Sequence, residues 1–153
     1  DDLDNALHAM QDKIDTLKKS ASSKQARIKE VDALLRMVDY YKSGKPAADK
    51  LKSIRFEKSR QKYKSEHDDE LRTFYMAERK LKPYFKDGKL PITAWRRERE
   101  QLEQDCKDIQ TELSPLHADA KKLWAIHYNI YEVQHEQEHQ NAATRQKKQE
   151  IEH

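Results

Sequence analysis

Glycine and proline are scarce in this chain, which has two glycines and four prolines among 153 residues. This scarcity excludes collagen-like and Pro-rich chains, and it disfavours β-sandwiches and barrels, which need turn residues about every ten positions. No apolar run approaches the roughly 18 residues of a membrane span. A charged segment followed by a short apolar segment is also missing at the start, so we expect no signal peptide and no contact with a membrane.

The single cysteine, Cys106, excludes an internal disulfide. We therefore expect a reducing compartment and predict a cytoplasmic location. The chain opens with Asp1-Asp2-Leu3 and no initiator methionine, and we expect a fragment of a longer protein. Two glycines cannot form a Gly-rich phosphate-binding loop, so we predict no nucleotide cofactor.

Charged residues outnumber apolar ones, at 39% against 35%, which leaves either long charged helices or disorder. Apolar residues recur at alternating steps of four and three, which is the a/d pattern of a coiled coil and does not arise in disordered chains. The first such seam consists of Leu3, Leu7, Met10, Ile14, Leu17, Ala21, Lys24, Ile28, Val31, Leu35 and Val38. The second consists of Trp95, Leu102, Cys106, Ile109, Leu113, Leu116, Ala120, Leu123, His127 and Ile130.

These seams predict two long helices, over residues 3–41 and 92–139. Gly44 and Pro46 follow the first seam and indicate a helix stop. A change of phase in the middle segment predicts two short helices, over residues 47–55 and 60–81. We expect Leu17 and Ile109 to be buried between the long helices.

The predicted fold is all-α: a long antiparallel coiled-coil hairpin closed at one end by a shorter helical hairpin. It forms a single helical domain over residues 1–140, followed by a polar, frayed tail over residues 141–153. With one middle helix instead of two, the long helices would run parallel. An obligate dimer formed through one seam is a further alternative.

Positive charge is concentrated in two segments. Residues 42–64 contain nine Lys and Arg against two Asp and Glu, a net charge of +7, and residues 82–99 contain six against two, a net charge of +4. Basic residues interleaved with aromatics bind phosphates and stack on bases. The alternative is that the aromatics cap a small core while the lysines solvate the helices. The candidate DNA contacts are Lys52, Arg55, Lys58, Arg60, Lys62, Lys86, Lys89, Trp95, Arg96 and Arg97.

His135 to His139 read HEQEH, which matches the H-E-x-x-H pattern of zinc proteases. The neighbouring residues are glutamine and asparagine where the apolar stripe ends, and no strand is predicted to line a substrate groove. We interpret the pattern as a solvated helix face, and we predict no metal site, no catalytic residues and no cofactor. Cys106 lies at a seam position and is interpreted as a core residue.

Three stretches resemble the helical region downstream of the nuclease domain in plasmid mobilisation relaxases of Gram-positive bacteria. They are residues 54–71 (IRFEKSRQKYKSEHDDEL), 89–102 (KLPITAWRREREQL) and 116–126 (LHADAKKLWAI). The histidine cluster and catalytic tyrosine of the relaxase nuclease domain have no counterpart here. The resemblance therefore implies a non-catalytic helical module of a conjugation protein that positions DNA or docks another protein of the transfer complex.

Two other functions remain open at this stage. One is a purely structural coiled-coil spacer or dimerisation module, which would self-associate and bind no nucleic acid. The other, ranked last, is a metalloprotease built on the H-E-x-x-H pattern. For the leading hypothesis we expect weak, mainly electrostatic and largely sequence-independent DNA binding, with a preference for single strands if Tyr84, Phe85 or Trp95 stacks on bases.

Overall fold

A computed structural model describes the backbone of residues 2–152 and the side chains of residues 2–151. This part of the chain forms four α-helices: α1 (Asp2–Ser53), α2 (Glu57–Glu66), α3 (Asp68–Leu81) and α4 (Ile92–Glu152). A short 3₁₀ turn, Lys82–Tyr84, follows α3. The predicted all-α fold, in which a long helix packs against a second long helix, is confirmed.

The residues group into two compact units. The four-helix unit is Ser22–Cys106, which contains α2, α3 and the adjoining parts of α1 and α4. The two-helix unit consists of Ala21 and the residues before it, together with Lys107 and the residues after it. The single domain expected over residues 1–140 remains a prediction.

The core of the four-helix unit joins α1, α3 and α4. Val31 and Val38 of α1 pack with Leu81 of α3 and Trp95 of α4, and all four side chains are buried. On α3, the buried residues recur at steps of three and four and therefore share one face. They are Leu71, Phe74, Ala77 and Leu81.

Helix α1 does not end near residue 41, so the predicted stop at Gly44 and Pro46 is wrong, as is the separate helix over 47–55. Proline inside a helix removes one backbone hydrogen bond and costs about 3 kcal/mol. Burial beyond the proline offsets this cost, because Ala47, Ala48 and Leu51 form a second apolar cluster with Leu71 and Phe74 of α3. Gly44 is itself buried and contacts α3.

The predicted helix over residues 60–81 is two helices, α2 and α3, which meet at His67. His67 leaves the helical region, with φ −116° and ψ 27°, while its backbone N–H still donates to the carbonyl of Tyr63. Three acidic residues, Asp68, Asp69 and Glu70, form the first turn of α3. Negative charge stabilises a helix N-terminus, which favours a new helix at this point without glycine or proline.

Helix α4 also extends beyond its predicted end. It continues past residue 139 to Glu152, so the frayed tail expected after residue 140 is helical as far as Glu152, and His153 lies outside the described residues. Alanine, glutamine, lysine and glutamate recur in this tail, and all of them favour helix.

In the two-helix unit, α1 and α4 run antiparallel. Ile14 packs with Ile109, Leu113 and Ala120 in a buried cluster, and Leu17 lies against it half-buried. The predicted burial is therefore confirmed for Ile109, whereas Leu17 is only partly buried. His127 Nε2 lies 2.7 Å from Asp4 Oδ1. Every described side chain from Tyr128 to Ile151 is exposed.

Within the four-helix unit, a bidentate ion pair joins α1 to α4. The Arg27 Nε and Nη2 atoms donate to the two carboxylate oxygens of Glu98, and Arg27 Nη1 donates to Glu30 at 3.0 Å. The hydrogen bonds from Arg27 hold the pKa of the Glu98 carboxyl below its ordinary value of 4.5. A carboxyl whose pKa is lowered by folding stabilises the folded state above its unfolded pKa and loses this contribution as pH falls.

We expect Glu98→Gln to lower the free energy of unfolding at pH 7 by less than about 1 kcal/mol, because both partners are more than a third exposed and water screens the pair. The difference from the original protein should shrink as pH falls below 4.5 and Glu98 becomes protonated. Urea unfolding at pH 7 and pH 3 measures this. The exposed Glu100→Gln is the control, and an equal effect of Glu98→Gln at both pH values would contradict the assignment.

Candidate nucleic-acid interface

Both basic segments lie in the four-helix unit. Residues 42–64 comprise the C-terminal part of α1, the connection to α2 and most of α2. Residues 82–99 comprise the 3₁₀ turn, a tight turn and the first turns of α4. The unit therefore contains nine of the ten candidate contacts as exposed side chains, and the tenth is Trp95.

The first cluster of candidates lies around the junction of α1 and α2. Its members are Lys52, Arg55, Lys58, Arg60 and Lys62, and all of them are exposed. The chain changes direction where Phe56 adopts an extended backbone, with φ −84° and ψ 129°, immediately before α2. None of the five side chains forms an ion pair with a described residue.

The second cluster of candidates is Lys86, Lys89, Arg96 and Arg97, which are exposed and form no ion pair within residues 2–151. Lys86 and Lys89 exchange two backbone hydrogen bonds of 2.9 Å each. The turn between them needs positive φ at both central residues, and Asp87 has φ 52° and Gly88 has φ 74°. The Asp-Gly pair therefore places the two lysines directly opposite each other.

Some basic side chains elsewhere in the long helices reach a carboxylate on the facing helix. Lys13 lies 3.9 Å from Glu112 in the two-helix unit, and Lys24 lies 3.7 Å from Asp105 in the four-helix unit. Arg99 is hydrogen-bonded to Asp32, which raises the pKa of its guanidinium above the ordinary value. These three cations are paired between α1 and α4, whereas the nine cations of the two candidate clusters form no ion pair among the described residues and keep their charge available to an external anion.

The aromatic residues of the basic segments separate into exposed and buried ones. Trp95 is 5% exposed and packs in the core, so its ring is not available to a base, and the expectation that it contacts DNA is wrong in this fold. Tyr63 and Phe85 are half-buried against the two apolar clusters. Phe56 and Tyr84 are 78% and 42% exposed and remain available for stacking.

Negative charge lies next to the first basic segment. A groove of about 270 Å³ is lined by Tyr40, Gly44, Asp69 and Glu70, among others. The carboxylates come from the first turn of α3, which packs across α1 at Gly44. Polyanion binding on this face is therefore disfavoured, and the candidate interface is limited to the two basic clusters.

A feature that the sequence reasoning did not identify is the groove beside the Lys86–Lys89 turn. It has a volume of about 440 Å³ and is lined by Pro83, Tyr84, Lys86, Lys89, Leu90 and Pro91. The two prolines and Leu90 were not among the candidates. The signal was present in the stretch KPYFKDGKLP, where an Asp-Gly turn brings two lysines together between two Pro-containing flanks.

The H-E-x-x-H stretch lies in the exposed part of α4. His135 stacks on Tyr131 with ring centroids 5.8 Å apart, and His139 is exposed. Among the described residues, no three His, Cys, Asp or Glu side chains are grouped so that they could hold a metal ion. Cys106 is half-buried. The expectation that this stretch is not a catalytic zinc site stays a prediction.

No helix in the described part of the chain combines the length and the apolar character needed to cross a membrane.

Comparison with known proteins finds no protein family, no curated protein and no solved structure that matches this chain.

Proposed function

We propose that this chain is a non-catalytic helical module that contacts DNA through the two basic clusters of its four-helix unit. The observation that supports this proposal is the set of nine exposed cationic side chains without a carboxylate partner among the described residues. A polyanion supplies the counter-charge, and binding releases the ions condensed on its phosphates.

The setting that we propose is a plasmid mobilisation relaxase acting in the cytoplasm. This part of the proposal rests on the resemblance of residues 54–71, 89–102 and 116–126 to the helical region that follows the relaxase nuclease domain. The module would position DNA for a nicking reaction carried out elsewhere, or dock another protein of the transfer complex. Electrostatic contacts to phosphates position a protein on DNA without reading its sequence.

The double substitution Arg96→Ala with Arg97→Ala tests the proposal. Both side chains are exposed at the start of α4, and alanine favours helix, so the fold should be retained. Each neutralised phosphate contributes about tenfold in affinity at 50 mM salt, so we expect DNA binding to weaken by about 10- to 100-fold. A titration of a short DNA at two salt concentrations, followed by fluorescence anisotropy, measures the affinity and its salt dependence.

The matched control is Lys147→Ala with Lys148→Ala, which removes the same charge from exposed positions in the two-helix unit. Residues 100–153 carry six Lys and Arg against eleven Asp and Glu, so this variant should bind nearly as well as the original. Equal losses in the two double variants would reject a localised DNA-binding surface. Absence of DNA binding at low salt would reject the proposed function.

One observation favours the alternative function, a structural module that self-associates. Ile126, Ile130 and Val133 are 49%, 46% and 62% exposed at steps of four and three, and they line an apolar groove with Asn129 and Gln134. In this alternative, the occupant of the groove would be a second copy of the chain. Residues 132–138 contain three glutamates and residues 145–148 contain three cations, so antiparallel pairing of two α4 helices brings opposite charges together.

Sedimentation equilibrium distinguishes the two functions. A tight dimer that is lost in Ile130→Glu, together with no DNA binding, would support the structural module. A monomer that binds DNA in a salt-dependent manner would support the proposed function.

A further inference from the structure

The groove beside the Lys86–Lys89 turn combines an aromatic surface with two cations. Tyr84 is 42% exposed at its wall, and the rest of the lining is Pro83, Leu90, Pro91 and the two lysines. Its volume of about 440 Å³ is within the usual range of ligand sites, roughly 300–1,000 Å³. A flat apolar wall next to paired ammonium groups suits a ligand that is itself partly aromatic and partly anionic.

The Tyr84 ring is held in place from behind. Its centroid lies 5.4 Å from the Trp95 ring in an edge-to-face arrangement, and Trp95 is fixed in the buried core with Val38 and Leu81. An aromatic side chain that is already ordered loses little rotamer freedom when a second ring stacks on its open face. Trp95 therefore contributes to the groove as a positioning residue and makes no contact with the ligand.

The two lysines are also preorganised. Their backbones are joined by two hydrogen bonds of 2.9 Å, and the chain reverses through Asp87 and Gly88 in the left-handed region. Neither ammonium group has an ion pair with any residue in 2–151. Two cations on the two sides of a tight turn can contact one phosphodiester or two successive phosphates.

We propose that this groove binds an unpaired nucleotide of single-stranded DNA, with the base stacked on Tyr84 and the phosphates contacted by Lys86 and Lys89. This inference deepens the proposed function and rests on it. A base in a duplex is covered by its neighbours and cannot stack on a side chain, so the groove confers a preference for single strands. The general electrostatic contacts of the other basic residues do not distinguish the two forms.

The other exposed aromatic residues of the unit do not offer this combination. Phe56 is 78% exposed among arginines and lysines, but it does not line a described groove with them. Tyr40 is 38% exposed and lines a groove, but Asp69 and Glu70 in that groove repel phosphate. Tyr40 is therefore a matched control for Tyr84, because the two rings are similarly exposed but Tyr40 lies beside carboxylates and Tyr84 lies beside lysines.

The test compares Tyr84→Ala with Tyr40→Ala, using a labelled oligothymidine of about 15 nucleotides and a duplex of the same length. Stacking of one base contributes about 5- to 100-fold in affinity. We expect Tyr84→Ala to weaken single-strand binding by this factor and to leave duplex binding nearly unchanged. Tyr84→Phe should bind like the original protein, and Tyr40→Ala should bind both DNAs normally.

Tyr84→Ala also removes a contact to Trp95, so a second variant keeps the core intact. Lys86→Gln with Lys89→Gln changes only exposed side chains. The measured quantity is the slope of log affinity for the single strand against log salt concentration. The double substitution should make this slope shallower by about 1.4, which is about 0.7 for each of two phosphates that are no longer neutralised. An unchanged slope would overturn the proposed role of the two lysines even where Tyr84→Ala fails to fold.

Tryptophan emission gives an independent measurement. The chain has two tryptophans, so Trp124→Phe leaves Trp95 as the sole reporter. Adding oligothymidine should change the emission of Trp95, because a base stacks on Tyr84. Adding the duplex should leave the emission unchanged.

The outcomes separate this inference from the proposed function. If the original protein binds neither DNA, the proposed function itself is rejected. Salt-dependent binding that Tyr84→Ala leaves unchanged for both DNAs would keep the proposed function and overturn the stacking groove. Binding of polyglutamate that depends on Tyr84, with no Tyr84 dependence for single-stranded DNA, would assign the groove to an acidic peptide instead.

Discussion

Replacing Trp95 by alanine should lower the free energy of unfolding by about 3–5 kcal/mol. The indole of Trp95 is 5% exposed and packs against Val31 and Val38 of α1 and Leu81 of α3. This cluster joins α1, α3 and α4. Truncation removes this apolar surface and leaves a cavity that the surrounding side chains can only partly fill. Urea unfolding followed by circular dichroism measures the change.

Trp124→Ala is the matched control, because Trp124 is the other tryptophan and is 50% exposed. Surface substitutions of this kind usually change stability by no more than about 0.5 kcal/mol. Similar losses of stability in both variants would contradict the assignment of Trp95 to the core. A Trp95→Ala protein as stable as the original would likewise show that the indole is not part of the core.

Gly44→Val should separate α1 from α3 and cost about 1–3 kcal/mol. A Cβ atom at Gly44 would lie 2.6 Å from the Cβ of Phe74 and 3.1 Å from the carbonyl oxygen of Glu70. Both neighbours belong to the rigid part of α3, so the helices must move apart and the cluster around Phe74 and Leu51 must pack less closely. Thermal unfolding measures the decrease in stability.

Ser43→Val provides the comparison, because Ser43 is exposed on the preceding position of the same helix. It places the same β-branched side chain in the helix at a position without the collision. Gly44→Ala should cost less than Gly44→Val, because alanine adds the same Cβ atom without the two methyl groups of valine and has a higher helix propensity than valine. Equal stability of the two valine variants would show that α1 and α3 do not approach closely at Gly44.

The long helices were predictable because their signal is repeated many times. The first seam places ten apolar residues in eleven positions, so an error at one position does not shift the register. The same repetition placed Ile109 in the buried cluster of the two-helix unit. Lys24 is the polar exception in that seam, and its ammonium reaches Asp105 on α4.

The helix ends were less predictable, because they depend on contacts between segments distant in sequence. Gly44 and Pro46 have the local chemistry of a helix stop, yet α1 continues because Phe74, thirty residues further on, packs against it. Glycine here permits a close helix–helix approach instead of a left-handed cap. The division at His67 has a weak local signal, since neither glycine nor proline marks it and only the acidic run from Asp68 to Glu70 favours a new helix there.

Most of the candidate contacts could be chosen from charge alone, because lysine and arginine without partners lie on the surface. The aromatic residues could not be chosen in this way. Trp95 occupies a seam position and is buried, whereas Tyr84 lies eleven residues earlier at the end of a 3₁₀ turn and is exposed. The Asp-Gly turn that pairs Lys86 with Lys89 could be read from the sequence, but the groove beside it could not, because the position of Tyr84 is set by its packing on Trp95.

Helix α2 contains no buried residue, and Tyr63 is its main apolar contact with the rest of the unit. The free energy needed to detach such a segment locally is small compared with that of global unfolding. Lys58, Arg60 and Lys62 are therefore carried by an element that can reorient without disturbing the core, whereas Arg96 and Arg97 flank the firmly anchored Trp95. Under the proposed function, Lys58, Arg60 and Lys62 would adjust to the path of a bent or unwound strand while Arg96 and Arg97 keep a fixed position.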